Sequence, residues 1–298
     1  MYWLLFLVLL CAAPFVREAL RPAITQAERE AAPGEFAVLS QGITHYQWLG
    51  PARGPVVVAI HGLSTPSPVW YPLAEGLGRL GYRVLVYDLY GRGWSDPVGG
   101  RDDSAILLRQ LDDLLADQGL GGDLTLMGFS LGGAVATAYA AAHPERMKRL
   151  ILIAPAGIEV TLAWLDRVIR DVPLLGDWLH HVVAGPRLRR DLGPDDPLTP
   201  LIAAQTRRKG FLPALLAARR GLLNTRQEAA HRQIGHDGIP VVALWGTQDA
   251  VVPLRALGVL AQWNRAARQE EVAGAGHALP RTHAAELAAV LRDVLREV

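Results

Sequence analysis

The chain has 298 residues, half of them hydrophobic, which suits one full-sized domain with an insertion better than two independent domains. Its formal net charge of +1 gives no electrostatic reason to expect nucleic-acid binding. The single cysteine, Cys11, excludes an internal disulfide and a cysteine-based metal site, and the nine histidines show no metal-binding spacing. We therefore predict neither a metal nor a cofactor.

The N-terminal segment, residues 1–22, stands apart from the rest. Residues 2–16 are almost wholly apolar, and charged residues follow from Arg17 onward. About 15 apolar residues match the core of a signal peptide and fall short of the roughly 20 that span a bilayer comfortably. No basic residue precedes this run, and the small-residue cleavage signals at 12–14 are weak. We favour an uncleaved membrane anchor. A cleaved signal on an exported protein and a packed amphipathic helix are the alternatives.

Residues 34–156 alternate between strand and helix patterns. The residues at 36–39 and 43–48 predict a hairpin, in which His45 is expected to be structural. Buried-strand runs follow at 56–60, 84–87, 124–127 and 150–154, and helices are predicted at 71–80, 105–117 and 134–140. This alternation implies an α/β fold, with a mostly parallel sheet flanked by helices.

The most informative motif is at residues 128–132, which read Gly-Phe-Ser-Leu-Gly between a strand pattern and a helix pattern. In such a strand-turn-helix context the serine, Ser130, sits in a sharp turn with its hydroxyl exposed above the strand end. Gly128 and Gly132 are needed because a Cβ atom at either position would collide with the neighbouring strand or helix. The pattern therefore predicts a nucleophile elbow. A turn that merely lets the helix pack closely is the simpler alternative.

From about residue 157 to 237 the alternation breaks. Helix patterns at 160–169 and 211–223 are separated by several prolines, and no strand pattern is present. We expect the apolar residues here, such as Trp164, Phe211 and Leu215, to pack mostly within this helical insertion after the sixth strand. We expect the arginine pairs at 189–190, 207–208 and 219–220 to form a solvated surface.

Residues 238–298 supply two more candidates in the chain order serine, acid, histidine. Asp249 follows the strand pattern at 241–245, and His277 follows a short strand at 271–272, within a glycine-rich loop. At this point the sequence resembles the α/β-hydrolase superfamily. The resemblance extends from about residue 35 to the C-terminus. The rival acid is Asp88, which we expect to brace its own loop.

Two further motifs carry this resemblance. His61-Gly62-Leu63 follows a strand pattern and looks like the element that supplies one oxyanion-hole amide, and residues 88–95 resemble the D-x-x-G-x-G-x-S loop. The resemblance implies that the backbone N–H groups of Leu63 and Leu131 hold the oxyanion. It also implies that residues 157–237 form a helical cap over the active site, between core segments 34–156 and 238–298.

The resemblance implies acyl transfer through an acyl-enzyme on Ser130, with His277 as base and Asp249 as its partner. Serine in the elbow argues against dehalogenases and epoxide hydrolases, which use aspartate there. Carbon–carbon bond hydrolases commonly carry an aromatic residue where this chain has Ala278. An ester or lipid substrate is therefore favoured. The His-Gly-Leu-Ser sequence at 61–64, the cap and the apolar N-terminus together look most like a membrane-associated, monoacylglycerol-lipase-like esterase. Carbon–carbon bond hydrolase, acyltransferase, cofactor-free haloperoxidase and non-catalytic binding protein remain as alternatives.

Overall fold

The computed structural model describes residues 2–100, 103–191 and 196–296, and the other residues of the predicted segments lie outside this description. Its centre is an eight-stranded sheet. The strands are β1 (Glu35–Leu39), β2 (Gly42–Leu49), β3 (Val56–Ile60), β4 (Arg83–Tyr87), β5 (Leu124–Phe129), β6 (Met147–Ile153), β7 (Val241–Gly246) and β8 (Arg268–Val272). Each predicted strand is present: β3 has the predicted bounds, and the others differ from theirs by one to three residues at an end.

The sheet runs in the order β1-β2-β4-β3-β5-β6-β7-β8. β1 and β2 form the predicted antiparallel hairpin, β2 pairs antiparallel with β4, and every pair from β4 to β8 is parallel. Parallel strands that are covered on both faces have continuous apolar sequences, and every residue of β5 and β7 is buried. The loops that leave β3, β5, β7 and β8 therefore meet at one edge of the sheet, where ligands bind in open α/β sheets.

The helices account for most of the remaining described residues. They are α1 (Tyr2–Ala19), α2 (Gln26–Ala31), α3 (Tyr71–Arg79), α4 (Ser104–Asp117), α5 (Leu131–Ala142), α6 (Trp164–Asp171), α7 (Leu175–Asp191), α8 (Thr199–Gln205), α9 (Phe211–Arg220), α10 (Glu228–His236), α11 (Arg255–Trp263), α12 (Leu279–Thr282) and α13 (Ala284–Arg296). α3 packs with α13, and α5 packs with α4 and α10. The prediction of a mostly parallel sheet flanked by helices is confirmed.

Between β6 and β7, the described residues form helices α6 to α10 and short turns, without a strand. Two predicted helices have different bounds. α6 begins at Trp164, because the N–H of Thr161 donates to the carbonyl of Val251 (2.8 Å) and holds the preceding residues outside the helix. α9 ends at Arg220, and Leu222–Asn224 form a separate 3₁₀ turn. The insertion is therefore helical, as expected, with shorter helices.

One expectation about side chains in this insertion has an exception, and another is wrong for one arginine pair. Trp164 does not pack within it, since its side chain is 70% exposed, whereas Phe211 and Leu215 are buried as expected. The arginine pair 219–220 is not a solvated surface, since both side chains are ion-paired and mostly covered. Aspartates distant in sequence hold this pair, which a local charge pattern cannot indicate.

The N-terminal helix α1 is, among the described residues, the one helix long and apolar enough to cross a membrane. The large side chains of its first half, residues 2–10, are 48% to 83% exposed. Its other end is fixed to the helical insertion, where the buried Glu18 accepts a hydrogen bond from the N–H of Gly210 (2.8 Å) and pairs with Arg21 (3.1 Å). The Trp178 indole N–H of α7 also donates to the carbonyl of Leu10 (3.3 Å). The exposed apolar helix thus rests on α7.

Candidate active site

Ser130 occupies the turn between β5 and α5. Its φ of +52° and ψ of −115° form a conformation that costs a non-glycine residue about 1–3 kcal/mol. Its backbone is held on both sides: the Ser130 N–H donates to the carbonyl of Ile153 (3.1 Å), and its own carbonyl accepts from Gly133 (3.0 Å) and Ala156 (3.0 Å). The surrounding backbone therefore maintains the strained turn at the carboxyl end of a central strand.

The two glycines of the motif are required by close backbone contacts. A Cβ atom on Gly132 would lie 1.9 Å from the carbonyl oxygen of Ile60 in β3. A Cβ atom on Gly128 would lie 2.3 Å from the carbonyl oxygen of Gly132. Both distances fall well inside van der Waals contact, so α5 can approach the sheet this closely only with glycine at both positions. The steric reason given for these glycines from the sequence is confirmed.

The structure brings the three distant candidates Ser130, His277 and Asp249 into one hydrogen-bonded chain. Nε2 of His277 lies 3.0 Å from Oγ of Ser130, and Nδ1 lies 2.8 Å from Oδ2 of Asp249. The other carboxylate oxygen, Oδ1, accepts backbone N–H bonds from Val251 (2.8 Å) and Val252 (2.9 Å). The loop after β7 therefore fixes the carboxylate, which orients the imidazole toward the serine.

The rival acid Asp88 lies in a different hydrogen-bond network. Its carboxylate accepts from the backbone N–H groups of Ser67 (2.7 Å) and Trp94 (3.0 Å), and from Nδ1 of His45 (2.8 Å). Burial alone lowers the pKa of His45, but the hydrogen bond and charge of Asp88 outweigh it, and the pKa is raised. Burial alone raises the pKa of Asp88, but His45 and the donors around it outweigh that effect and lower it. These contacts brace two loops and involve neither Ser130 nor His277.

Leu63 and Leu131, the candidates for the oxyanion hole, both lie beside the serine. Leu131 is the first residue of α5, so its N–H has no acceptor within the helix. Leu63 lines the cavity in front of Ser130. The preceding His61 is buried, which lowers its pKa to about 4 and keeps it neutral; its Nε2 accepts from the N–H of Leu89 (2.9 Å). This histidine ties the loop after β3 to the loop after β4.

Arg92 is a residue of the site that the sequence did not single out. Its guanidinium is buried and donates to the carbonyls of Leu63 (3.1 Å), Tyr90 (2.7 Å) and Ala214 (3.2 Å). Burial lowers its pKa to about 10, so it stays charged at neutral pH. Arg92 therefore joins the loop that carries Leu63 to helix α9 of the insertion. Its position in the D-x-x-G-x-G-x-S motif was the only available signal.

A cavity of about 440 Å³ opens in front of the serine and is covered by the helical insertion. Ser130 and His277 line it together with mostly apolar side chains, which include Leu63, Phe129 and Leu162. Charged side chains also reach it. These are Asp166, Arg170, Arg219 and Arg281. Among the described residues, no cluster of three His, Cys, Asp or Glu side chains suits a metal ion. The lining of the cavity is therefore mostly apolar, with charged side chains at four positions.

Comparison with known proteins gives a consistent result. A family profile described as alpha/beta hydrolase fold matches residues 55–192. The pimeloyl-[acyl-carrier protein] methyl ester esterase of Shewanella oneidensis is 30% identical over 224 residues, which cover 71% of this chain and 79% of that protein. The 2-hydroxymuconate semialdehyde hydrolase of a Pseudomonas species is 31% identical over 231 residues, covering 72% and 77%. The enol-lactonase of Burkholderia xenovorans shares the fold, with a TM-score of 0.71, 21% identity and coverage of 88% and 100%.

Proposed function

This chain belongs to the α/β-hydrolase family, and we propose that it is a serine hydrolase that cleaves carboxylic esters, with lipid-like or monoacylglycerol-like substrates. The observation that carries the proposal is the hydrogen-bonded chain from Ser130 through His277 to Asp249, which opens on a mostly apolar cavity. A serine hydroxyl is a weak nucleophile at neutral pH and needs such a base.

Each residue has a defined role in the proposed reaction. Asp249 accepts the hydrogen bond from Nδ1–H of His277, which leaves Nε2 free to accept the proton of Ser130 as its Oγ attacks the ester carbonyl. The imidazolium then returns this proton to the leaving alcohol. Water attacks the acyl-enzyme in the second step, with the same histidine as base. The N–H groups of Leu63 and Leu131 stabilise the oxyanion, an effect of about 10²- to 10³-fold in rate for each donor.

The test is a series of p-nitrophenyl esters with acyl chains of increasing length, together with a monoacylglycerol, assayed with wild type and Ser130→Ala. We expect turnover to favour medium or long chains, because the cavity lining is mostly apolar. We expect Ser130→Ala to fold normally without turnover. A folded Ser130→Ala protein with wild-type turnover would refute the proposal.

One second candidate has a specific observation in its favour, the 31% identity to a 2-hydroxymuconate semialdehyde hydrolase. Incubation of the protein with 2-hydroxymuconate semialdehyde, beside the ester series, separates the two activities. Turnover of this compound with little ester hydrolysis would favour the second candidate.

We propose further that the enzyme is anchored in a membrane by α1. Residues 2–10, the part of α1 that the insertion leaves exposed, extend about 14 Å at 1.5 Å per residue, about half of the roughly 30 Å of a hydrocarbon core, which is enough to enter one leaflet. The insertion that holds α1 also exposes large apolar side chains, with Trp164 70% and Leu174 81% exposed. These side chains would meet the same bilayer and let an amphiphilic ester enter the cavity from lipid.

Fractionation with N-terminal sequencing tests the anchor. We expect an uncleaved protein in the membrane fraction. A soluble mature protein that begins after Ala13 would contradict the anchor and indicate an exported esterase, without affecting the catalytic proposal. In the anchored protein, Leu174→Asp should weaken the contact between the helical insertion and the bilayer. It should not change the hydrolysis of a water-soluble ester. If this variant hydrolysed a bilayer-embedded ester as fast as wild type, the proposed contact between Leu174 and the bilayer would be contradicted.

A further inference from the structure

A second cavity of about 280 Å³ adjoins the catalytic cavity inside the helical insertion. Leu63, Asp166 and Arg219 line both cavities, so these side chains form the wall between them. His180, Arg187 and Arg190 line the second cavity only. Burial lowers the pKa of His180 to about 3, which leaves this imidazole uncharged. The charge at the wall therefore comes from arginine and from Asp166.

The charges at this wall do not balance. One carboxylate, Asp166, lies between two guanidinium groups: Arg219 Nη1 donates to its Oδ1 (2.9 Å), and Arg187 Nη1 lies 3.6 Å from the same oxygen. The trio therefore carries one positive charge in excess. Two more arginines of the catalytic cavity have carboxylates of their own, since Arg170 pairs with Asp171 and Arg281 with Asp196. The excess charge thus belongs to the wall.

Arg219 also has unused hydrogen-bonding capacity. Its Nε atom is buried and finds no acceptor in the described part of the chain, although its Nη1 atom is engaged. A buried donor without an acceptor is unfavourable, and arginine presents its donors as a fork that fits a carboxylate or phosphate. Arg219 therefore has a donor to offer to an anionic group.

We propose that Arg219 and Arg187 form an anion subsite at the wall between the catalytic cavity and the second cavity. The preferred ester then carries a carboxylate or phosphate group away from the scissile bond. This inference rests on the proposed ester hydrolysis and specifies the substrate class. The substrate anion accepts a charge-assisted hydrogen bond from the guanidinium groups and neutralises the positive charge that Asp166 leaves uncompensated. The partly enclosed site strengthens this hydrogen bond.

The test compares substrate pairs that differ only in the distal group. The first pair is a p-nitrophenyl ester with an ω-carboxylate on the acyl chain and its ω-methyl analogue of equal length. The second pair is a 1-acylglycerol 3-phosphate and the corresponding 1-monoacylglycerol, which distinguishes phosphate from carboxylate as the source of the anion. We expect the anionic member of at least one pair to have the lower KM.

Three variants assign the effect. Arg219→Gln should lower kcat/KM for the anionic ester by about 10- to 100-fold more than for the neutral ester, the range of one charge-assisted hydrogen bond. Asp166→Asn should lower KM for the anionic ester, because it removes the competing carboxylate. Arg226→Gln is the charge-matched control and should change neither ester, since its side chain is 67% exposed and lines neither cavity among the described residues.

The results separate this inference from the proposed function. Wild-type hydrolysis of neutral esters without an anion preference, or an equal loss of both activities in Arg219→Gln, would overturn the anion subsite and leave the ester hydrolase intact. Absence of hydrolysis of every ester would overturn both. If Arg226→Gln had as large an effect as Arg219→Gln, the preference for anionic esters would come from the net charge of the protein, which would also overturn the subsite.

Discussion

Two buried aspartates, Asp249 and Asp88, lie at the carboxyl edge of the sheet, and we expect their replacement by asparagine to have different effects, on catalysis at Asp249 and on stability at Asp88. Oδ1 of Asp249 accepts two backbone N–H bonds, so the single oxygen of an asparagine would occupy that position. Its NH₂ group would then face Nδ1 of His277 and donate to it. The imidazole would have to carry its proton on Nε2, and it could no longer accept the proton of Ser130. We expect kcat to fall by about 10⁴-fold with little loss of stability.

At Asp88 the same change should act on folding. Both of its oxygens accept buried hydrogen bonds, and His45 adds a buried ion pair. An asparagine leaves one buried donor without an acceptor and removes the charge opposite His45. The cost should be about 3–5 kcal/mol in the free energy of unfolding, the range for breaking a buried pair. The folded fraction should retain most of its turnover.

The assay combines kcat on a p-nitrophenyl ester with urea unfolding of wild type, Asp249→Asn and Asp88→Asn. The activity of each variant is normalised to its folded fraction under the assay conditions. If Asp88→Asn, while folded, proved far more damaging to kcat than Asp249→Asn, the assignment of the acid would be wrong. Near wild-type kcat in Asp249→Asn would refute the tautomer reasoning.

Three further predictions follow from the same contacts. Gly132→Ala should prevent stable folding, because its methyl group would lie 1.9 Å from a backbone carbonyl oxygen. Gly258→Ala in α11 is the control, since its methyl group meets open space, and it should stabilise the fold by about 0.5–1 kcal/mol. Equal urea midpoints of the two variants would contradict this prediction. Because the pKa of His45 is raised in the folded state, its pairing with Asp88 stabilises the protein below about pH 6.5 and is lost as pH rises through the folded pKa. The difference in unfolding free energy between wild type and His45→Gln should therefore shrink as the pH rises above about 6.5, and a constant difference would argue against the ion pair. Arg92→Met should lower kcat on charged and neutral esters alike by about 10-fold, because it frees the loop that carries Leu63, a proposed oxyanion donor. Unchanged kcat in a folded variant would show that this loop does not need the arginine.

The sheet and the elbow could be predicted because their signals are local. A buried parallel strand is a short continuous apolar run, and Gly128 and Gly132 flank Ser130 within one turn. The relative positions of Asp249 and His277 also followed from local signals, since each comes directly after a strand pattern. Chain order and a common sheet edge then place them near the serine.

The contacts that shape the cavity could not be predicted in this way. Arg92 donates to a carbonyl 122 residues away, and Arg219 bonds an aspartate 53 residues away. Nothing near Arg219 in the sequence distinguishes it from a solvated arginine, and the only local signal at Arg92 is its position in the D-x-x-G-x-G-x-S motif. The start of α6 likewise depends on the contact of Thr161 with Val251, which exists only after β7 has joined the sheet. Such tertiary partners override the local helix pattern.

The most direct test of the central proposal is covalent labelling of the folded protein with a fluorophosphonate, followed by intact mass and peptide mapping. We expect one adduct on Ser130, no adduct on Ser130→Ala and much slower labelling of His277→Ala, because the hydroxyl reacts only as the imidazole removes its proton. An adduct on another residue, or undiminished labelling of Ser130→Ala, would contradict the assignment of Ser130 as the nucleophile.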